Sequence, residues 1–439
     1  MAPTFLFKRG SCVSIISHLG LTRNEGRATE KFVRLPGGLH PGDEGLPVGD
    51  GPPAPAPTPW EDVMHPHCLC FAVVLVAFLS TLSAPARAAD PVDLAIAPAA
   101  NDCAKWLKGR KQMVVCIGAI SGPQTYPTSG GPGIRLVLTR LLGDRGIEVR
   151  ERATIALRVE YKGKEVADPR DSKRTRLTLS LRVVFVDQRE AELADVEWRV
   201  DHEEAVRVIL GITGDRAGKF DREADRALAV GFFEPKAYFD GGVVLAGEKS
   251  PFGMELLLNA KPVVPQDRDG LAYAPIPRGQ EYQIRLVNRS DREMAVRLSI
   301  DGLNAFTFCE QRQPEMIDGK PNPRKGQPLY DLILVPAKGE VTVPGWVINA
   351  KKALGFKVTE YPRTAVAQLG RDDLPAGTIT ATFSAAWTGA PPADEPPMSR
   401  GPGDDGTGLG SPKEIDAKPV ERKVGVVRAS VSLRYTTKQ

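Results

Sequence analysis

The sequence predicts an α+β protein: a small helix-on-sheet domain followed by an antiparallel β-sandwich domain. Two patterns carry that prediction. Between residues 101 and 210, helical periodicities interleave with runs that alternate with period two. From residue 254 onward, seven or eight short strand-like runs follow one another, with Gly/Pro turn signals and almost no helical periodicity. The first domain is expected over 94–230, a linker and first strand region over 231–278, and the sandwich over 279–439.

The chain has 439 residues, and its first fifth reads differently from the rest. Residues 1–63 end in Pro/Gly-rich low complexity, Gly45 to Pro59, which cannot bury enough surface to offset chain entropy. They are expected to be a disordered leader, or to precede a true start at Met64. A short polar start with His65 and His67 comes next. An apolar run from Phe71 to Leu82 follows, then the A-x-A site Ala86-Arg87-Ala88. That order predicts a secretory signal peptide over 64–89, used as 64–88 with cleavage before Ala89. The alternative is a transmembrane anchor, which needs about 20 apolar residues; the run to Ala84 is shorter and contains Ser80, Thr81 and Ser83. The expected location is therefore periplasmic or extracellular, with no integral membrane span.

In the mature chain, residues 90–100 read as an Ala/Pro-rich lead-in. A short helix is predicted from Asn101 to Lys108, capped by Asn101 or Asp102, with Trp106 and Leu107 facing inward. The compact apolar run within Gln112 to Ile120 predicts a buried strand. After a Gly/Pro/Ser loop, Ser121 to Gly133, the residues Ile134, Val137, Leu138, Leu141 and Leu142 repeat with helical spacing. Gly143 or Gly146 ends that helix. Three alternating strands follow: Ile155 to Tyr161, Leu177 to Phe185 and Val196 to Val200. The polar loop Lys162 to Arg174 separates the first two, as in a meander. Asp201 and Glu204 form a D-x-x-E capping pattern before a helix Glu203 to Leu210, closed by Gly211.

In the second half the predicted strands are 254–258, 282–288, 294–300, 329–335, 340–344, 356–359, 379–387 and 424–435. Asp301-Gly302 reads as a hairpin turn, and so does Asn288-Arg289-Ser290. Asn288-Arg289-Ser290 also fits a glycosylation sequon. The Pro/Gly/Asp-rich stretch 389–420 is expected to be a mobile loop, longer than most in compact domains.

Composition narrows the function. Residues 1–89 hold seven basic and seven acidic residues, so the net charge of +4 belongs to the mature chain as well. For this size that is near neutral and gives no reason to expect nucleic acid. Of the five histidines, His202 is the one after residue 89. A zinc site needs His/Cys clusters at ligand spacing, and a triad or Cys-His pair would have to use His202. His202 opens a short charged helix, where an exposed or capping role is the natural reading. No cofactor or metal is expected. Cys309 would need His202 from the other domain to act as a nucleophile. Cys103, Cys116 and Cys309 remain after the signal; Cys103 and Cys116 pair, or all three are buried thiols.

Three further motifs have plain readings. Gly130-Gly131-Pro132-Gly133 precedes a helix, where phosphate loops sit. Leu136 occupies the third glycine place of G-x-G-x-x-G, and no G-K-[ST] follows, so a turn with Pro132 at the helix start is favoured. Asp404-Asp405 lacks the calcium-loop pattern. Arg170 to Arg176 is a charged hairpin loop by default, able to contact acidic lipid or polysaccharide only weakly. Trp346 and Trp387 fall in or beside strands and read first as core, second as an aromatic binding face. With Asp301 they are the candidate ligand-binding residues; no residue is assigned a catalytic role.

The run Gly133-Ile134-Arg135 through Leu142, followed by Gly146-Ile147-Glu148-Val149-Arg150-Glu151-Arg152, resembles the curli-secretion/TolB-N-terminal type of α/β domain in bacterial envelope proteins, over about 60 residues. A lipidated Cys and pore-forming strands are missing, so the resemblance implies kinship of fold. The second half resembles a β-sandwich module of unknown function in secreted bacterial proteins. The residues that carry this are Gly279 to Ile284, Asn288-Arg289-Ser290, Asp301 to Asn304 and Gly345-Trp346. It supplies no catalytic residues. The expected function is a non-enzymatic binding or assembly protein of the bacterial cell envelope, with a protein or envelope polysaccharide as partner. The alternative is a carboxylate-dependent, glycosidase-like hydrolase, with Asp301, Glu310 and Glu360 as the acids to inspect.

Overall fold

The computed structural model describes residues 29–34, 91–123, 130–168, 171–216, 222–317, 320–321, 326–359, 377–395, 412–414 and 418–436. The signal region 64–89, Glu360 and Asp404-Asp405 lie outside the described residues. What is described is mostly sheet, with four helices.

The first strand lies within the expected leader: β1 (Thr29–Arg34) is hydrogen-bonded into a sheet of the second half. Helix α1 (Pro91–Gly109) is longer than expected and absorbs the Ala/Pro lead-in. Its buried residues Val92, Ala95, Ile96, Ala99, Ala100, Cys103, Ala104 and Leu107 recur at spacings of three and four. That stripe packs into the core on both sides of Pro98. Tertiary packing thus sustains a helix across a residue that local rules read as a terminator. Strand β2 (Val114–Ser121) and helix α2 (Gly131–Asp144) follow, with the predicted α2 residues buried and Gly146 at a φ of 75° behind its end.

Next come β3 (Glu148–Val149), β4 (Ile155–Asp168), β5 (Asp171–Asp187) and β6 (Glu192–Val200), in the sheet order β3-β2-β4-β5-β6. β4, β5 and β6 form the expected antiparallel meander, while β2 runs parallel to β3 and β4. The expected loop 162–174 is instead strand, paired from Lys162↔Ser180 to Ala167↔Thr175. The reason is a helix the sequence reading missed. After α3 (Glu203–Leu210) and β7 (Gly214–Asp215), helix α4 (Arg222–Phe233) lies against β5, and Phe232 sits over Gly163, where a Cβ would come within 2.6 Å of the ring. Apolar packing at its base anchors the polar hairpin to the rest of the sheet.

The stretch 231–278 supplies β8 (Tyr238–Asp240), β9 (Val243–Leu245), β10 (Phe252–Leu258), β11 (Lys261–Pro262), β12 (Gln266–Arg268) and β13 (Leu271–Pro275). Beyond it come β14 (Glu281–Asn288), β15 (Met294–Ile300), β16 (Leu303–Asn304), β17 (Met316–Ile317), β18 (Lys320–Pro321), β19 (Leu332–Val335) and β20 (Gly339–Val343). The last are β21 (Gly345–Asn349), β22 (Lys352–Lys357), β23 (Gly377–Trp387), β24 (Pro412–Glu414) and β25 (Lys418–Thr436). One sheet has the order β21-β22-β14-β10-β9-β8; the other has β1-β19-β15-β23-β25-β13-β12. Both sheets feed one apolar core, for example Met254, Leu256, Ile284 and Leu286 from the first and Val296, Leu298, Ile379, Phe383 and Val431 from the second.

The opposite face of β15, β23 and β25 is polar, yet it is buried too: Arg297, Ser299, Thr380, Thr382, Arg428, Ser430, Ser432 and Arg434 are all at most 7 % exposed. Helix α3 and the segment after it cover this face. Arg207 on α3 is fully buried, donates Nε–H to Glu203 Oε1 at 2.8 Å and Nη1–H to Ser430 Oγ at 2.7 Å. Ser430 Oγ donates to Ile212 O at 2.6 Å, and β7 pairs with Ala429 and Ser430. Glu204 accepts from Arg297 Nε and Thr382 Oγ1, each at 2.9 Å, and Arg297 also reaches Asp331 at 3.3 Å. The expected capping box therefore does not form. His202, not Asp201, is the N-cap, with no side-chain cap bond, and Glu204 faces the sheet. Asp201 pairs with Arg176 and Arg199.

Part of the expected mobile loop 389–420 is anchored. Arg428 donates to Asp394 Oδ2 at 2.5 Å and to the fully buried Glu395 side chain at 2.8 Å, and β24 pairs with β22. Buried charge needs a partner, and the acidic pair answers Arg428.

Candidate functional site

Of the three candidate ligand-binding residues, Asp301 and Trp387 lie towards opposite ends of β23. Trp346 lies on β21, 7 % exposed, with its ring edge-on to Phe356 at 4.5 Å and to Phe308 at 6.2 Å. Trp387 ends β23 and is equally buried. Asp301 and Gly302, at φ of 55° and 79°, form the two-residue turn between β15 and β16. Asp301 Oδ1 accepts from Thr378 N at 2.9 Å and Oδ2 from the Tyr435 hydroxyl at 2.8 Å. Thr378 and Trp387 lie nine residues apart along β23, about 30 Å at the usual strand rise, so Asp301 and Trp387 do not share a pocket. Of the other acids, Glu310 accepts from Asn349 Nδ2 at 2.9 Å, on partners distinct from those of Asp301.

Cys103, Cys116 and Cys309 are free thiols, so the Cys103–Cys116 pairing is not made. Burial pushes the Cys103 thiol up to about 12, and the Cys116 thiol donates to Glu151 O at 3.1 Å. Burial lowers the His202 pKa, which keeps the ring neutral, and its Nδ1 is buried without a hydrogen bond. The Gly130–Gly133 loop has a structural use. A Cβ on Gly133 would lie 2.5 Å from Gly302 O, and one on Gly130 2.6 Å from Ile209 O. The glycines seat the start of α2 directly on the Asp301-Gly302 turn and the end of α3.

One polar surface that remains open among the described residues is the outer face of β4, β5 and β6. Opposite charges meet in register across it: Glu160↔Arg182 between β4 and β5, Arg182↔Glu197 between β5 and β6. Arg182 donates to Asp195 at 2.8 Å and approaches Glu160 at 3.7 Å and Glu192 at 3.6 Å; Arg158 donates to Glu192 at 2.7 Å. At one end of this ladder lies a recess of about 220 Å³, lined by Ser121, Gly122, Pro123, Glu160, Tyr161, Lys162, Ser180, Arg182 and Glu197. The Ser180 hydroxyl donates to Glu197 Oε1 at 2.5 Å and holds that carboxyl below its ordinary range. Glu197 is thus a fixed anion, suited to accepting hydrogen bonds rather than delivering a proton. Lys162 and Arg182 supply donors beside it, so the recess offers a polar ligand both signs of charge.

These residues occupy the outward positions of strands whose period-two signal is carried by the inward ones. Their signal was present as the complementary outward set, Arg158, Glu160 and Lys162 on β4 and Asp195, Glu197 and Arg199 on β6. Among the described residues no helix is long and apolar enough to cross a membrane, and no group of three or more His, Cys, Asp or Glu is placed to hold a metal ion. No protein-family model, curated protein or solved structure matches the chain.

Proposed function

We propose that this chain is a non-enzymatic binding or assembly protein of the bacterial cell envelope, exported by the signal peptide 64–88 and working in the periplasm or outside the cell. In this reading the β3-β2-β4-β5-β6 sheet with its helices is a small α+β module, kin in fold to the curli-secretion/TolB-N-terminal type. The two larger sheets act as a β-sandwich. The observation that carries the proposal is the charged recess at Lys162, Ser180, Arg182 and Glu197, whose groups suit hydroxyl- and amide-rich surfaces such as an envelope polysaccharide or protein. The test is retention of the mature protein on isolated envelope fractions, with a glycan panel assayed in parallel. Retention that Lys162→Glu abolishes supports the proposal; glycan cleavage without retention overturns it.

One observation favours the second reading, a glycosidase-like hydrolase. Glu160 and Glu197 sit two strands apart, about 9–10 Å by strand spacing, close to the carboxylate separation of inverting glycosidases. Arg182 stands between them and Ser180 keeps Glu197 ionised, which weighs against either acting as the acid.

A further inference from the structure

Strand β1 occupies a slot between two other strands. Its residues pair antiparallel with Lys418–Lys423 of β25, from Thr29↔Lys423 to Arg34↔Lys418, and parallel with β19 at Phe32↔Leu332 and Val33↔Ile333. The far edge of β19 is bound to β15, and β25 pairs with β23 only from Lys423 onward. Among the described residues, β1 is therefore the strand that satisfies the backbone of 418–422 and the free edge of β19. Without it both edges would present unpaired N–H and C=O groups.

The slot has an apolar floor of its own. Ala295, Leu332, Leu334 and Ala386 form a small buried cluster apart from the two main cores, with Val420 and Val424 packed against it. Phe32 stands at the register position opposite both Leu332 and Val420. Charge is matched in register as well: Glu30 stands opposite Arg422, and Lys31 opposite Glu421. The segment that fills the slot also lies ahead of the signal peptide expected at 64–88, so an exported chain that starts at Ala89 has lost it.

We propose that the slot between β19 and residues 418–423 of β25 is a strand acceptor. Thr29–Arg34 closes it in the full chain. The exported chain takes there an extended segment of a protein partner that reads acidic, basic, apolar, apolar, adding it as a strand between the two edges. This rests on the reading that export removes everything before Ala89, and it names the kind of partner that reading leaves open.

The test uses the full chain and hydrogen exchange. In a Lys31→Pro/Val33→Pro variant, amides of 418–423 and 332–333 are expected to lose protection while β10 and β14 keep theirs. A synthetic peptide of residues 27–36 restores that protection in the variant and leaves the wild type unchanged. The same peptide with Glu30→Lys and Lys31→Glu binds about tenfold more weakly, the loss of two matched cross-strand pairs. Unchanged protection in the proline variant, or equal restoration by a scrambled peptide, overturns the proposal. A second variant avoids any folding defect. Phe32→Cys/Val420→Cys places the thiols at directly opposed antiparallel positions, within disulfide reach; the cross-link supports the slot and its absence overturns it. The N-terminal mass of the exported protein separates this from the envelope-binding proposal. A mature chain that still carries residues 29–34 overturns the partner role, whatever the retention on envelopes.

Discussion

Two faces of this molecule are built from the same residue types and end in opposite environments. The outer face of β4–β6 and the polar face of β15, β23 and β25 both alternate charged and hydroxyl residues with apolar ones. On β4–β6 the charges meet solvent, and the pairs centred on Arg182 are about one-third to one-half exposed. On β15, β23 and β25 the same chemistry is sealed under α3, with Arg207 and Arg434 among the largest fully buried side chains. Exposed pairs are screened and contribute little. Buried ones cost desolvation, so each must be matched, and removing one partner strands the other. The contrast teaches that an alternating strand specifies which face is polar, and leaves open whether that face is wet.

The comparison can be broken first at Arg207. Arg207→Ala removes the buried donor of Ser430 and one of the two arginines that hold Glu203, Arg216 being the other; losing two charge-assisted hydrogen bonds should cost about 3–5 kcal/mol in a urea melt. Burial holds Arg207 down at about 10, still above neutral, so the lost group is a cation at physiological pH. Glu204→Ala removes the acceptor of Arg297 and Thr382 and should cost about 2–3 kcal/mol, read in the same way. A third test uses pH. The Arg428 hydrogen bond, helped by Arg292, holds Asp394 well below the usual carboxylate range. A depressed folded-state pKa contributes stability at neutral pH that is lost as pH falls below the ordinary carboxylate value toward the folded one. The protection of amides 393–395, measured against their intrinsic exchange rates at each pH, should therefore fall between about pH 4 and pH 2, and Asp394→Asn should abolish that step. The smallest effect belongs to the open face: Glu192→Gln should cost under about 1 kcal/mol, and added salt should shrink it further. A Glu192 effect as large as that of Arg207 would show that the open face is covered too.

Much of the architecture was legible. Period-two runs at 155–161, 177–185 and 196–200 became the meander, the Ile134–Leu142 spacing became α2, and Asp301-Gly302 became a hairpin turn. What was missed has physical causes. Helix α1 crosses Pro98 because its alanine stripe is buried, and β4 and β5 extend through a charged stretch whose inner end is packed by Phe232 of α4 over Gly163. The short strands β8, β9 and β11 to β13 hold two to five residues each, too few to show a period. The candidate recess was hidden because its residues sit on the outward positions of strands recognised by their inward ones.

The sequence by itself determined which residues face a core, where the backbone must turn, and which thiols and which histidine remain to do chemistry after residue 89. Those follow from local rules of periodicity, chirality and residue inventory. Only the tertiary structure decided that the polar face of β15, β23 and β25 is buried, that Asp301 and Trp387 stand at opposite ends of β23, and that Gly133 meets Gly302. It also decided that residues 29–34 lie beside residues almost four hundred positions away. Burial and register between distant strands depend on which element comes to cover which, and no window along the chain contains that information.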